Sequence, residues 1–535
     1  MDLPKAELLS LPEELLFYII SFLPWRDILR CTSLCRALRQ AYVSYSELQY
    51  ITELGGQQLL PVFNGHISFS KRLQLLRDKA YAWFKFDIHS FETISIPIQF
   101  RTRTKVSVVN GHACFWKPTT HSGKIFPILP KPLQQTFERD FSLDSLCSVP
   151  KQKQSDFDVL NVFMDPVQNL LAIVYVTVIR NGDLMSDKEY YIDLVALDGD
   201  GAHPQAAGRT LFLSDLPRRE NFITKSTKIE GLGRHIALRL FDDHLCSPSS
   251  RSRWWLQIWD WQHSTMSNSI LSGPILDPDF DEIDICFLGN DRFLIVNDNL
   301  KLYSIEDISQ APRLLACFLL PVSLVNLRCL TPTDDIARSS NPQKQALQVT
   351  WISDPKHRLL SLITWYSDLY FVISTRIFFE PDFVDSEGAV TIPWKSWGPS
   401  NARAFPHQFS CRLVVSGSRA LCAFAAAGAK VNDNLIATEY RLHLMDFSPL
   451  AVKRHHQGLG RIVNEPSIVE NIETRECITT SMPYVEVVSD RTFSYGEIIE
   501  IWFDRDKLYL LKNHFDIVGS SHLSMKCDVL IVYSG

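Results

Sequence analysis

Residues 10–38 read Ser-Leu-Pro-Glu-Glu-Leu-Leu-Phe-Tyr-Ile-Ile-Ser-Phe-Leu-Pro-Trp-Arg-Asp-Ile-Leu-Arg-Cys-Thr-Ser-Leu-Cys-Arg-Ala-Leu. Ser10 and Glu13 have the spacing of a capping box, and Pro12 suits a first helical turn, so a helix is predicted to begin here. Apolar residues then recur at helical spacing and form one broad face: Leu15, Leu16, Ile19, Ile20 and Leu23. Pro24 predicts the end of this helix.

A second and a third helix are predicted to follow Pro24. Asp27 is a candidate N-cap for the second helix, and Ile28, Leu29, Thr32 and Cys35 share one of its sides. The third helix is expected to begin near Cys35. Three helices in roughly forty residues are marginal for an independent core. The unit is therefore expected to pack against another surface, either the rest of its own chain or a partner protein.

The same stretch resembles an F-box. The matching residues lie in register: Leu11, Pro12, Glu14, Leu15, Ile19, Ser21, Leu23, Pro24, Asp27, Ile28, Leu29, Leu34, Cys35 and Arg36. Leu38 departs from the pattern, since the family usually has an aromatic residue there, most often Trp. The resemblance implies a Skp-type adaptor and, through it, a cullin–RING complex as partners. It implies that the adaptor is contacted by Leu11, Pro12, Leu15, Ile19, Leu23, Ile28, Leu29, Leu34, Cys35 and Leu38.

Composition favours an ordinary soluble protein over a nucleic-acid or membrane protein. The chain has 535 residues, 46% of them hydrophobic, with a net charge of -6. This charge argues against nucleic acid as the main partner, because it offers no excess of cations for phosphates. Its 12 cysteines are scattered, mostly within apolar runs, as expected for free thiols in a reducing compartment. No apolar run is long enough to cross a bilayer, and we expect a location in the cytoplasm or nucleus.

The sequence predicts three regions. Residues 8–47 form the F-box-like unit, residues 48–90 a helical linker, and residues 91–535 a β-rich region, which the F-box resemblance implies would hold a protein substrate. Residues 42–60 are interpreted as a transition with a break at Gly55-Gly56, and residues 70–85 as a helix. The predicted polar side of that helix carries Lys71, Arg72, Arg77 and Asp78. Trp83 is predicted to anchor it on the region that follows.

From about residue 91 the pattern is typical of short β-strands. β-Branched and aromatic residues dominate, between clusters of Gly, Pro, Asn and Asp. The predicted strands are 105–109, 170–179, 190–197, 235–240, 254–261, 293–296, 300–304, 358–365, 369–374, 413–415, 420–425, 440–447, 497–503 and 507–511. Few helices are expected between them, which indicates a mainly β body.

A recurring pattern favours a radial arrangement of these strands. A turn with Gly or Asp precedes a hydrophobic strand, and an amphipathic strand that follows ends near an Asp, as at Gly231 and Asp260 or Gly417 and Asp446. A β-propeller buries strand faces between adjacent sheets and accommodates many short strands in one chain. We therefore expect a divergent propeller-like body of six to eight blades. A pair of β-sandwiches is the alternative.

The whole chain resembles the large fungal, mushroom-type F-box family with a propeller-like C-terminal region. The matching landmarks occur in the expected order: Glu53-Leu-Gly-Gly, Arg72-Leu, Ala82-Trp83, Met164-Asp-Pro166, Asn169-Leu-Leu, His203-Pro204, Ile258-Trp-Asp-Trp, Phe287-Leu, Arg292-Phe-Leu, Leu302-Tyr303, Ile392-Pro-Trp-Lys-Ser-Trp-Gly-Pro399, Arg403 and Leu444-Met-Asp-Phe447. The resemblance implies a non-catalytic subunit that recruits substrates to a cullin-based ubiquitin ligase.

The residues themselves support no catalytic or cofactor site. Cys31 and Cys35 are four apart but lack a second Cys/His pair at zinc spacing, and His455-His456 lacks a flanking carboxylate motif. Serine-hydrolase, zinc-protease and phosphate-loop motifs are absent. We therefore expect no metal, no cofactor and no enzymatic activity, so that the chain acts by recruitment.

Two tryptophans are the most distinctive candidates for a substrate surface. Trp394 and Trp397 lie between Pro393 and Gly398 and could offer large contact areas to a partner. The alternative is that both rings pack between blades. Two other functions also remain open from the sequence: a propeller scaffold outside any ligase, and a propeller enzyme with its site at the central channel.

Overall fold

The computed structural model describes most of the chain. The described residues are 8–62, 67–86, 92–95, 104–128, 138–148, 157–180, 186–213, 224–242, 253–275, 283–321, 327–330, 351–364, 369–380, 388–406, 413–430, 437–453, 460–471, 475–504, 507–514 and 524–531.

The helices are concentrated at the N-terminus. Their bounds are α1 Glu13–Ser21, α2 Trp25–Leu34, α3 Arg36–Ser44, α4 Ser46–Gly56, α5 Phe69–Lys85, α6 Leu143–Leu146, α7 Trp394–Asn401 and α8 Pro449–Lys453. Within the described residues, short 3-10 helices occupy Leu8–Ser10, Pro355–His357 and Thr375–Phe379. The fold is thus a helical N-terminal unit followed by a mostly β body, as predicted.

Three details of the predicted helix starts and breaks are wrong. Pro12 and Pro24 are the N-caps of α1 and α2, and neither helix has a side-chain cap, so Ser10 and Asp27 do not cap them. Asp27 instead forms an ion pair with Arg30 at 2.6 Å. The predicted break at Gly55 lies inside α4, which is a regular helix over most of the predicted transition.

The strands between β1 and β18 build the first half of the body. They are β1 Leu59–Pro61, β2 Glu92–Ser95, β3 Lys105–Val109, β4 His112–Lys117, β5 Ser122–Pro127, β6 Arg139–Ser142, β7 Phe157–Asp165, β8 Leu170–Arg180, β9 Ser186–Ala196, β10 Thr210–Phe212, β11 Thr224–Leu232, β12 His235–Asp242, β13 Arg253–Asp260, β14 Ile270–Pro274, β15 Asp284–Phe287, β16 Arg292–Val296, β17 Leu300–Ser304 and β18 Arg313–Phe318.

The second half continues to the C-terminal strand. Its strands are β19 Leu327–Leu330, β20 Trp351–Ser353, β21 Leu359–Thr364, β22 Leu369–Ser374, β23 Val390–Ile392, β24 Ala402–Pro406, β25 Leu413–Ser416, β26 Arg419–Ala425, β27 Glu439–Asp446, β28 Arg461–Val463, β29 Ser467–Glu470, β30 Cys477–Thr480, β31 Tyr484–Ser494, β32 Ile498–Asp504, β33 Lys507–His514 and β34 Ser524–Ile531. Each of the predicted strands overlaps one of these observed strands.

The strands form successive blades of a β-propeller. Among the described residues there are seven sheets of four or five strands, and we number them as blades in chain order. Blade 1 is β3–β6, blade 2 β7–β10, blade 3 β11–β14, blade 4 β15–β18 with β23, blade 5 β19, β21, β22 and β24, blade 6 β25, β26, β27, β31 and β28, and blade 7 β32–β34 with β2. The predicted propeller-like body is confirmed.

The ring is closed by a strand from the N-terminal side of the body. β2 pairs antiparallel with β34 and becomes the outermost strand of blade 7, with Glu92 opposite Val529. The last blade therefore combines both ends of the β region. Tyr509 of blade 7 also packs against Phe115 and other side chains of blade 1, so the first and last blades share a core.

Period-two alternation explains how one strand serves two blade interfaces. Along β8, Leu171, Ile173 and Tyr175 belong to the core shared with blade 1, whereas Ala172 and Val174 belong to the core shared with blade 3. Since successive side chains of a strand point to opposite faces, a continuous apolar run fits a strand buried on both sides. Similar cores lie between the other neighbouring blades.

The predicted turn-and-strand pattern has a physical basis in an ion pair within the blade. Arg234, in the turn before β12, contacts the carboxylate of Asp260 at the end of β13 at 3.3 Å. In blade 6, Arg419 and Asp446 are paired in the strand register and lie 2.9 Å apart. The recurring Asp thus holds the turn that begins the preceding strand of the same blade.

The linker joins the N-terminal helices to the propeller through α4, β1 and α5. β1 pairs antiparallel with β20, and Trp83 of α5 is confirmed as a buried anchor whose ring lies 5.1 Å from that of Phe503 in blade 7. The prediction that Arg72 lies on the polar side of α5 is wrong, since Arg72 is buried. Its guanidinium stacks over Phe69 at 5.5 Å.

Candidate partner-binding surface

The three N-terminal helices share a small apolar core with α4. Leu16 and Ile20 of α1, Ile28 of α2, Leu38 of α3 and Leu48 of α4 form this core. Burying these side chains provides most of the driving force for assembling the unit, because apolar surface is removed from water. The helices are therefore stabilised by α4, which belongs to the linker.

A second apolar face of α1 is left uncovered. Leu15, Tyr18, Ile19 and Phe22 are between 43% and 70% exposed. Their spacing of three and four residues places them on one side of the helix, away from Leu16. The rings of Tyr18 and Phe22 meet edge to face at 4.8 Å. We call these four residues the α1 stripe.

More exposed apolar side chains lie in the neighbouring segments. Leu8 and Leu9 are exposed in the 3-10 helix before α1, and Leu34 is 74% exposed at the end of α2. Single exposed apolar residues are ordinary on protein surfaces, whereas a concentration of them indicates an interaction site. These exposed apolar side chains and the α1 stripe lie within a short segment, which makes the N-terminal unit a candidate partner-binding surface.

The structure separates the ten residues implied for the adaptor contact into three groups. Pro12, Leu15, Ile19 and Leu34 are exposed, and Leu11, Leu23, Leu29 and Cys35 are partly buried. Ile28 and Leu38 are only 1% and 6% exposed. These two side chains fill the core of the unit, so in this structure they cannot contact a partner directly. Leu38, the residue that departs from the F-box pattern, has a packing role.

Four exposed residues were missed by the sequence reasoning. Leu8, Leu9, Tyr18 and Phe22 are absent from the implied set although they are exposed. The signal for Tyr18 and Phe22 was their helical spacing from Leu15 and Ile19. Leu8 and Leu9 precede the helix, and no periodicity indicated them.

A buried polar joint holds the unit against α5. Glu53 of α4 is buried, and its carboxylate accepts hydrogen bonds from Gln57 Nε2 at 3.1 Å and from Arg77 Nε at 3.5 Å. Gln57 Nε2 also reaches the carbonyl oxygen of Leu76 on α5 at 3.4 Å. Because buried polar groups are costly to leave unpaired, this joint favours one arrangement of α4 on α5.

The two glycines that end α4 permit close packing on both sides. A Cβ atom on Gly55 would lie 2.2 Å from the ring of Trp25 in α2, and one on Gly56 would lie 2.9 Å from Leu450 in α8. Any larger residue would force these groups apart. The Gly55-Gly56 pair therefore lets α4 approach both the N-terminal unit and the propeller.

The two candidate tryptophans of the substrate surface pack within the propeller. Trp397 is 4% exposed and donates from Nε1 to the carbonyl oxygen of Leu319 at 3.2 Å. Trp394 is partly buried, and its ring meets that of Trp397 at 4.8 Å. The interpretation of Trp397 as a surface residue is therefore wrong. Its ring fills the core between blades 4 and 5, which is the packing alternative.

A cluster of ionisable groups lies, largely buried, between blades 3 and 4. Lys228 Nζ contacts Glu230 at 2.6 Å and also the carboxylate of Asp284. Burial opposes the charged form of Lys228, but these two carboxylates raise its pKa above the ordinary value. Asp284 also accepts a hydrogen bond from the backbone N–H of Cys329 in blade 5. The cluster is satisfied internally and links three neighbouring blades.

The other candidate groups do not assemble into a site in the described part of the chain. There, no three His, Cys, Asp or Glu side chains are grouped as ligands for a metal ion. Cys31 and Cys35 pack against the core of the N-terminal unit. His455-His456 lies outside the described residues. None of the described helices has both the length and the apolar content needed to span a bilayer.

Comparisons with solved structures give only weak similarities. A puromycin hydrolase matches with a TM-score of 0.31 and 11% identity over 73% of this chain and 49% of that one, so this chain spans about half of its length. AztD from Citrobacter koseri matches with a TM-score of 0.29 and 8% identity over 72% and 88% of the two chains. The C-terminal WD40 domain of Sif2 matches with a TM-score of 0.22 and 8% identity over 60% and 96%.

Sequence comparison identifies the N-terminal unit. No curated protein matches the chain. Residues 8–45 match the F-box-like family, and this segment contains α1, α2 and α3 together with the exposed α1 stripe. The candidate surface therefore lies on an F-box-like domain.

Proposed function

We propose that this chain is a substrate-recruiting subunit of a cullin–RING ubiquitin ligase, in which the F-box-like domain binds a Skp-type adaptor and the propeller binds a protein substrate. The observation that carries the proposal is the uncovered α1 stripe within the segment that matches the F-box-like family. A small helical unit whose core is already filled has no internal use for a second apolar face. A partner protein that covers this face would remove it from water.

The proposed mechanism is positioning. The adaptor would connect the chain to the ubiquitin-charged enzyme, and the propeller would hold a substrate near it. A reaction between two tethered groups is favoured by a raised effective concentration, and this needs no acid, base or nucleophile from the tether. The buried Glu53 joint and the anchored Trp83 support this role, because they restrict how the F-box-like domain can move on the propeller.

The order of sequence landmarks supports a finer assignment to the mushroom-type F-box family. On this proposal the chain acts in the cytoplasm or nucleus and is not itself an enzyme. A scaffold that never engages a ligase is the competing function. The two differ in one property, which is binding to a Skp-type adaptor.

Co-expression with a Skp-type adaptor, followed by size-exclusion chromatography, tests the proposal. We expect the chain to co-elute with the adaptor, and the double variant Leu15→Glu/Ile19→Glu to lose most of this binding. Both side chains are exposed, so charge can be added without disturbing the core, and central interface residues commonly contribute more than about 1 kcal/mol each.

A matched control separates loss of binding from general damage. Ile468 is also an exposed apolar residue, but it lies on β29 of the propeller. We expect Ile468→Glu to leave adaptor binding unchanged. Full co-elution of the double variant, or no co-elution of the folded wild-type chain, would refute the proposed contact.

A further inference from the structure

A cleft of about 220 Å³ lies between the F-box-like domain and the propeller. Its lining combines Trp25 and Arg26 at the start of α2 with His357 and Arg376 from the 3-10 helices next to blade 5. Gln58, just beyond α4, also lines the cleft. The cleft is smaller than the roughly 300–1,000 Å³ of pockets for drug-sized ligands, so it suits a compact group.

Two positive charges of the cleft are not neutralised within the described part of the chain. The guanidinium groups of Arg26 and Arg376 form no hydrogen bond or ion pair with any described residue, and Arg26 is held over the ring of Trp25 at 5.2 Å. None of the described lining residues is acidic. Two unpaired guanidinium groups that line one cleft raise the local affinity for anions.

Two carboxylates that are close in sequence to the lining residues, those of Asp27 and Asp354, already have partners. Asp27 accepts from Arg30 at 2.6 Å. Asp354 accepts from His357 Nδ1 at 2.8 Å and from the backbone N–H of Lys356 at 3.0 Å. Burial works against ionisation of Asp354, but these hydrogen bonds lower its pKa below the ordinary value. This carboxylate is thus ionised at neutral pH and orients His357 within the cleft wall.

We propose that this cleft is a binding site for a phosphate-type anion, clamped between Arg26 of the F-box-like domain and Arg376 of the propeller. Guanidinium groups bind phosphate oxygens through paired, charge-assisted hydrogen bonds, which favours this chemistry over a simple halide. The phosphate can belong to a free anion or to a phosphorylated side chain. The site is separate from the α1 stripe, and the inference does not depend on adaptor binding.

An anion bound by both arginines would stabilise the arrangement of the F-box-like domain on the propeller. Arg26 belongs to α2, whereas Arg376 belongs to blade 5, so one bound anion contacts both bodies. A ligand that binds only when both walls are in place stabilises that arrangement in proportion to its concentration and affinity. Anion binding is therefore expected to raise the thermal midpoint of the full chain.

Isothermal titration calorimetry on the full chain tests the site. Sodium pyrophosphate and a Gly-phosphoserine-Gly peptide are titrated separately, each against sodium chloride at equal ionic strength. We expect at least one phosphate probe to bind and sodium chloride not to bind. Binding of pyrophosphate alone indicates a free anion as the ligand, whereas binding of the peptide indicates a phosphorylated segment.

Three variants make the result specific. Arg26→Ala and Arg376→Ala should each weaken binding by about tenfold or more, because each removes one charge-assisted contact. Arg313→Ala removes an exposed arginine at the start of β18, away from the cleft lining, and should leave the affinity unchanged. Circular dichroism checks that each variant is folded. Absence of binding by both probes, or an equal loss in Arg313→Ala, would overturn the proposal.

Discussion

His235 makes the stability of the propeller depend on pH. This residue begins β12, is only 1% exposed, and neither ring nitrogen has a hydrogen-bond partner among the described residues. Burial and the nearby charge of Arg234 lower its pKa from 6.5 to about 4, although Asp260 acts in the opposite direction. The folded state therefore holds this histidine in its neutral form.

The sign and size of the effect follow from proton linkage. Between pH 6.5 and pH 4 the unfolded chain binds this proton more readily than the folded one, so stability falls as the pH falls through this window. A shift from 6.5 to about 4 corresponds to roughly 3 kcal/mol when it is fully expressed below pH 4. At pH 5 the loss in unfolding free energy is about 2 kcal/mol. Above pH 6.5 the histidine is mostly neutral in both states, so the stability is fully present.

Urea denaturation at several pH values measures this contribution. We compare the wild-type chain with His235→Phe, which keeps a ring beside Phe287 but cannot be protonated. Other buried histidines, such as His112 and His203, titrate in both proteins and cancel in the comparison. We expect the difference in unfolding free energy to change by about 2 kcal/mol in favour of the variant between pH 7.5 and pH 5. A difference that stays constant across this range would refute the reasoning.

Two further predictions concern packing and closure. Leu38→Ala should destabilise the F-box-like domain by about 2–5 kcal/mol because it leaves a cavity, whereas Leu34→Ala at an exposed position should keep stability and weaken adaptor binding. Thermal unfolding and adaptor pull-down distinguish the two, and equal stability losses would contradict the assigned burial. Thr93→Pro/Ile94→Pro should disrupt the pairing of β2 with β34 and increase proteolysis of blade 7, because proline cannot donate to the strand ladder. The control is Ser467→Pro, which places a proline at the start of the β29–β30 hairpin, outside the blade sheets. Equal proteolysis of blade 7 in both variants would refute a closing role for β2.

The helix starts show where local reasoning failed. Ser10 and Glu13 have the spacing of a capping box, yet Ser10 lies in a 3-10 helix and α1 begins at Glu13 after Pro12. Proline at this junction predetermines the backbone angle, and Glu13 and Glu14 place negative charge in the first turn, where the helix dipole favours it. These two effects start the helix without a side-chain cap.

The predicted break at the glycines of α4 was wrong for a different reason. Gly55 and Gly56 are typical of a break, which is how the sequence was interpreted. In the structure they form the last residues of α4. Glycine is needed there because Trp25 and Leu450 approach the helix backbone too closely for any side chain. This requirement arises from elements distant in sequence, and no local pattern could indicate it.

The helical character of the N-terminal unit and of α5, and the presence of strands in every blade, were determined by the sequence alone. Helical spacing identified the N-terminal unit and α5, and β-branched and aromatic runs identified strands in every blade. The recurring Asp near the end of a blade strand was also visible in the sequence, although its ion pair with Arg was not. These features depend on neighbouring residues, so they are encoded within short stretches of the chain.

Only the tertiary structure decided which apolar residues remain exposed and how the ring closes. Leu15 and Leu16 are equally apolar, but α4 covers Leu16 and leaves Leu15 on the surface. Likewise, nothing in residues 92–95 indicates that they complete blade 7 with β34. Both outcomes depend on contacts between segments far apart in the chain, whose relative positions are set by the packing of the whole molecule.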